Sequence, residues 1–94
     1  MPPLEIEFSP RFRTQARGLP DVRQQELAEA VARLRETFGQ PHIHAGLGIR
    51  RLFGYVFEFR VGRELRVVFE LTKGSASLLL VGTHDDVRRF IKNR

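Results

Sequence analysis

Glu58, Arg60, Arg66 and His84 supply one carboxylate, two guanidiniums and an imidazole in the C-terminal half of this chain. Such groups are sufficient to cut RNA without a metal. A base takes the 2′-hydroxyl proton, fixed positive charge holds the phosphorane, and an acid protonates the leaving 5′-oxygen. From Gly54 to Phe69 the residues alternate with a period of two, which puts aromatic and aliphatic side chains on one strand face. Glu58, Arg60 and Arg66 fall on the other face, and Val56, Val68, Leu79 and Val81 are expected to share it. Two readings fit these charges: a solvated salt-bridge cluster, worth little to stability, or an anion site with an apolar floor.

Register decides whether the three charges meet. A three-residue loop at Gly62-Arg63-Glu64 pairs Val61 with Leu65, Arg60 with Arg66, Phe59 with Val67 and Phe57 with Phe69. Only that loop keeps the apolar residues together, and register follows the buried face. Arg60 then stands across from Arg66, a repulsive pair that Glu58, on the diagonal, relieves in part. A two-residue turn at Lys73-Gly74 sets Phe69 opposite Leu78, Val67 opposite Leu80 and Arg66 opposite Val81. His84 follows that last strand and is expected at the same end of the sheet, although a lone histidine at a helix start is more often an ordinary surface residue.

The elements that must hold these strands are also legible. Leu4, Ile6 and Phe8 alternate with Glu5 and Glu7 as a first strand. Ser9-Pro10 is a helix start, with Ser as N-cap and Pro as first helical residue, and Gly18 ends that helix. Leu19-Pro20-Asp21 opens a second helix with Leu27, Val31, Leu34 and Phe38 as its apolar stripe and Gly39 and Pro41 as its stop. The stretch from His42 to Leu52 reads as a glycine-rich loop. Thr83 and Asp86 form a near capping box for a C-terminal helix with Val87, Phe90 and Ile91 on its apolar side. The fold class is therefore α+β: an N-terminal strand, a two-helix hairpin, a three-stranded antiparallel meander and a C-terminal helix, with the helices on one face of a small sheet.

Ninety-four residues make one domain, 1–94, with one modest core. Apolar residues are 41% and charged residues 29%, an ordinary globular balance. The formal net charge is +5, and of the sixteen basic residues only Lys73 and Lys92 are lysine. Arginine's planar fork suits phosphate and carboxylate, so a basic surface of this kind attracts nucleic acid or an acidic partner; an arginine-rich codon bias explains part of the same excess. Arg50, Arg51 and Arg63 are the candidates for RNA-backbone contact, with ordinary solvated charge an equally good account of Arg50 and Arg51. There is no cysteine, which suits a reducing cytoplasm. Met1 to Glu5 lack the basic and apolar regions of a secretory leader, and the longest aliphatic run, Leu78 to Val81, is too short to cross a bilayer. His42 and His44 do not amount to the three or four ligands a metal needs, and no cofactor motif is present.

The runs Arg51–Gly62, Leu65–Phe69 and Leu80–Asp85, with the Ser9-Pro10 start and the helices before the sheet, resemble the RelE/ParE superfamily of bacterial toxin–antitoxin toxins over nearly the whole chain. The resemblance implies a toxin neutralised by a cognate antitoxin, in a possible hetero-oligomer. RelE-like members cleave mRNA at the ribosome, and ParE-like members inhibit DNA gyrase without being nucleases. By motif position Arg66 matches the family's central arginine, and Glu58 and His84 match the glutamate and late histidine of the YoeB-type branch. The resemblance thus implies a metal-independent endoribonuclease, with Glu58 as base, Arg60 and Arg66 as charge stabilisers and His84 as acid. A gyrase inhibitor and a catalytically inactive antitoxin- or RNA-binding relative are the alternatives.

Overall fold

Ser9 accepts a hydrogen bond from the Phe12 N–H through its hydroxyl and so starts the first helix where Pro10 can follow without a missing donor. In the computed structural model, which describes residues 4–37 and 47–93, the elements run β1 (Glu5–Phe8), α1 (Pro10–Arg17), α2 (Asp21–Thr37), β2 (Arg50–Phe53), β3 (Val56–Val61), β4 (Leu65–Thr72), β5 (Ser75–Gly82) and α3 (His84–Lys92). The expected α+β order holds. The strands form one five-stranded sheet in the order β1-β5-β4-β3-β2, with β1 parallel to β5 and the other neighbours antiparallel. Strand β2 is a correction to the sequence reading, which assigned residues 42 to 52 to a loop. The meander has four strands, because Gly54-Tyr55 closes a hairpin that pairs Phe53 with Val56.

The β3–β4 register is the one expected, Val61 with Leu65 through Phe57 with Phe69, and Gly62 takes the positive φ of 63° that the short turn demands. The β4–β5 ladder also starts as expected, with Phe69 opposite Leu78, but it slips by one residue between Val68 and Phe69. Val67 therefore meets Val81 rather than Leu80, and Arg66 meets Gly82 rather than Val81. This bulge moves Val81 into the main core and turns Leu80 to the opposite face. Side chains of α1 satisfy the disturbed backbone: Ser9 Oγ donates to the Leu79 carbonyl at 3.1 Å and Val81 N–H donates to Gln15 Oε1 at 3.0 Å. A slip that depends on side chains some seventy positions away leaves no local mark in the strand itself.

Both sheet faces are covered, whereas the sequence reading placed all helices on one. On the first, Phe12 of α1 and Leu27, Ala30 and Leu34 of α2 pack on Phe59, Val61, Val67, Phe69, Ala76, Leu78 and Val81. Of the expected α2 stripe, Val31 is partly buried, and Phe38, like the expected stop at Gly39 and Pro41, lies outside the described residues. On the second face, Val87 of α3 packs with Val56, Val68 and Leu80, and Phe90 stacks on Phe53 with ring centroids 6.4 Å apart. The cause lies in the strands: Val56, Val68 and Leu80 are apolar on the second face too, and α3 is needed to take them out of water.

The start of α3 is a complete capping box. Asp86 N–H donates to Thr83 Oγ1 at 3.2 Å, and Thr83 N–H returns a bond to Asp86 Oδ2 at 2.8 Å. Gly82 leaves room for it, since a Cβ there would stand 2.6 Å from Asp86 Oδ2. The Thr83 N–H foremost, helped by the Thr83 hydroxyl and the Arg89 guanidinium, holds the Asp86 carboxyl below its ordinary value of 3.8 against the opposing effect of burial. The folded value lies below the unfolded one, so this contribution is complete above the ordinary value and is lost as pH falls through the folded value. Asp86→Ala is expected to lower the melting temperature by about 4–8 °C at neutral pH, the effect of roughly 1 kcal/mol in a domain this size. The gap between variant and wild type closes on acidification, which thermal melts across a pH series read directly.

Candidate active site

Glu58 points to the second face of the sheet from the middle of β3, between Arg50 of β2 and Val68 of β4. It is 1% exposed, the buried charged residue among those described. Its Oε2 accepts from two guanidiniums at once, Arg66 Nη1 at 3.0 Å and Arg50 Nη2 at 2.9 Å. Arg66 reaches it along the diagonal of the β3–β4 pair, and Arg50 reaches it straight across the β2–β3 pair. The other oxygen, Oε1, is buried and has no hydrogen-bond partner among the described residues. One carboxylate beneath two guanidiniums leaves a local excess of one positive charge, with Val56 and Val68 as apolar neighbours. Such a cluster suits a phosphate, because each guanidinium still has N–H donors to offer.

The expected groups do not all converge. Glu58 and Arg66 meet, as the register required. Arg60 does not join them. The position facing it on the edge-strand side is Gly48, where an added Cβ would stand 3.3 Å from Arg60 Nε. With no side chain in the way, the Arg60 stem lies across this glycine. Arg60 lines a recess of about 380 Å³ with Glu26, Glu29 and Arg33 of α2. This also separates Arg60 from Arg66, the like charge paired with it. His84 is exposed at the first position of α3, two residues beyond the Gly82 that pairs with Arg66, and it makes no hydrogen bond to Glu58 or Arg66.

Among the candidates for backbone contact, Arg51 is engaged within its own hairpin: its Nε donates to the Gly54 carbonyl at 2.7 Å. Arg63 stands exposed in the β3–β4 turn. Arg50, a candidate for RNA-backbone contact by sequence, instead pairs with Glu58, a contact that depends on strand β2. The signal was present in Gly54-Tyr55, a Gly-first two-residue turn that makes a hairpin of the residues on either side. Among the described residues no three acidic or histidine side chains converge as a metal site requires, and His42 and His44 lie outside those residues.

No family model matches the chain, and no curated protein matches it in sequence. Its fold is nevertheless shared with solved structures. RelE of the archaeal RelE-RelB complex from Pyrococcus horikoshii OT3 superposes with a TM-score of 0.70 at 14% identity, covering 85% of this chain and 93% of that one. A free-state E. coli RelE variant gives 0.70 at 16% identity over 94% and 90% of the two chains. The E. coli DinJ-YafQ toxin-antitoxin complex gives 0.66 at 19% identity over 89% and 96%. The fold is the RelE fold. The likeness covers most of both chains in each comparison.

Proposed function

We propose that this protein is the toxin of a toxin–antitoxin pair and a metal-independent endoribonuclease that cleaves mRNA, on the ribosome, in the cytoplasm. The observation that carries the reading is a buried carboxylate bound by Arg66 and Arg50 on a RelE fold. In the reaction Glu58 takes the proton of a 2′-hydroxyl, and the 2′-oxygen attacks the adjacent phosphorus. The bond from phosphorus to the 5′-oxygen breaks, and His84 protonates that oxygen. The products are a 2′,3′-cyclic phosphate and a 5′-hydroxyl end. Arg66 holds the charge on the phosphorane. The part expected of Arg60 has no support in the geometry, since Arg60 lies over Gly48 and makes no contact with Glu58 like those of Arg50 and Arg66.

The fold relatives were solved with RelB and DinJ antitoxins, and a cognate antitoxin is proposed here as well. The net charge of +5 favours an acidic one. No described helix is long and apolar enough to cross a membrane.

Pulse expression in a bacterial host tests the reading. Arrest of protein synthesis before DNA replication, with new 5′-hydroxyl ends in mRNA, is the expected result. Replication stopping first assigns a gyrase inhibitor, and unimpeded growth assigns an inert binder.

A further inference from the structure

A base must come within about 2.6–3.2 Å of the oxygen whose proton it removes, yet Glu58 is 1% exposed and its Oε2 is occupied twice. The two guanidiniums that occupy it are not equivalent. Arg66 sits on an interior strand and its side chain is 23% exposed; Arg50 sits on the edge strand and its side chain is 62% exposed. We propose that Arg50 is an exchangeable cover: it is bound to Glu58 in the free protein and transfers to an RNA phosphate when substrate docks, opening the carboxylate only then. The proposal rests on the nuclease reading and names the residue that would gate it.

Three observations support the exchange. First, an ion pair with one well-hydrated member is weakly held, because water competes for the guanidinium. A phosphate offers the same guanidinium two oxygens in the geometry its planar fork prefers. Second, Arg66 stays behind. Glu58 keeps one cation when Arg50 leaves, so the buried charge is never stranded. Third, the buried Oε1 has no donor among the described residues. An unsatisfied buried acceptor is unfavourable, and a substrate 2′-hydroxyl entering beside Glu58 supplies the missing donor. Arg50 is thereby a positioning residue that couples binding of the phosphate to access of the base.

The test uses the full chain with two probes. One is a 2′-deoxy oligonucleotide, which binds but cannot be cut, added to protein with ¹⁵N-labelled arginine. The Arg50 guanidinium resonance is expected to move on binding and to become insensitive to Glu58→Gln, while in the free protein it responds to that substitution. An Arg50 resonance that still reports Glu58 in the complex overturns the proposal. The other probe is ribosome-bound mRNA under single-turnover conditions. Arg50→Ala is expected to lower kcat/KM about tenfold, wholly through KM, with Arg50→Lys recovering part of it. A tenfold fall in kcat at unchanged KM makes Arg50 a transition-state group and overturns the cover. Should wild type cut no RNA, the nuclease reading fails by itself, and the resonance experiment alone decides whether the exchange occurs.

Discussion

Arg66→Ala is expected to reduce mRNA cleavage on the order of 10²–10³-fold, the usual effect of removing one preplaced charge from a phosphoryl or acyl transition state. Induced expression of the variant then leaves growth unimpeded. The fold survives, because Glu58 keeps its 2.9 Å contact with Arg50 and is not left as a lone buried charge. Some stability is lost all the same. Removing a hydrogen-bond partner from a buried charged group costs about 1–3 kcal/mol, so the melting temperature falls by several degrees without loss of the cooperative transition. Arg66→Lys keeps the charge but not the planar fork, and cleavage is expected to return only in part. Growth arrest, mapping of 5′-hydroxyl ends and a thermal melt of each variant separate the catalytic effect from the structural one. An Arg66→Ala protein that remains fully toxic places the site elsewhere.

The largest effect on folding is expected at Phe59. It is 0% exposed, its ring lies 5.8 Å from that of Phe69, and it faces Val67 across the β3–β4 pair. Phe59→Ala removes most of a large side chain from a close-packed layer that α1 and α2 also line, at a cost of about 3–5 kcal/mol. A domain of this size has a total stability near the low end of roughly 5–15 kcal/mol. The variant is therefore expected to lose most of its folded population at growth temperature and to show a urea midpoint far below that of wild type. Tyr55→Ala is the control. That ring is 74% exposed in the β2–β3 turn, and its loss is expected to move stability by no more than about 0.5 kcal/mol. Equal costs at the two positions mean that the β3 core face is not where the fold is held.

Much of this architecture is written in short-range signals. Ser9-Pro10 and Thr83-x-x-Asp86 mark helix starts because the groups they satisfy lie within one turn of them. Gly62-Arg63-Glu64 determines the β3–β4 register because any other loop mixes polar and apolar residues across the pair. From that register the meeting of Glu58 with Arg66 follows directly, since diagonal neighbours on one strand face are within reach of each other.

The remaining features depend on residues far apart in the chain. The bulge at Leu79 is held by Ser9 and Gln15 of α1, so β5 read alone suggests an unbroken ladder and puts Leu80 and Val81 on the wrong faces. The covering of both faces emerges only once Leu80 joins Val56 and Val68 and gives α3 something to bury. Arg60 turns away because a glycine twelve positions earlier lies alongside it.

Legible in the sequence were the order of the elements other than β2, the helix starts, the hairpin registers near their turns and one ion pair, all of them consequences of backbone period and of turn and cap chemistry. Tertiary structure alone decided that Glu58 would be buried, that Arg50 would share it and that Arg60 would not. Those outcomes depend on which strand becomes the edge and what stands across from each side chain, and a strand's neighbours are chosen by the burial of the whole sheet.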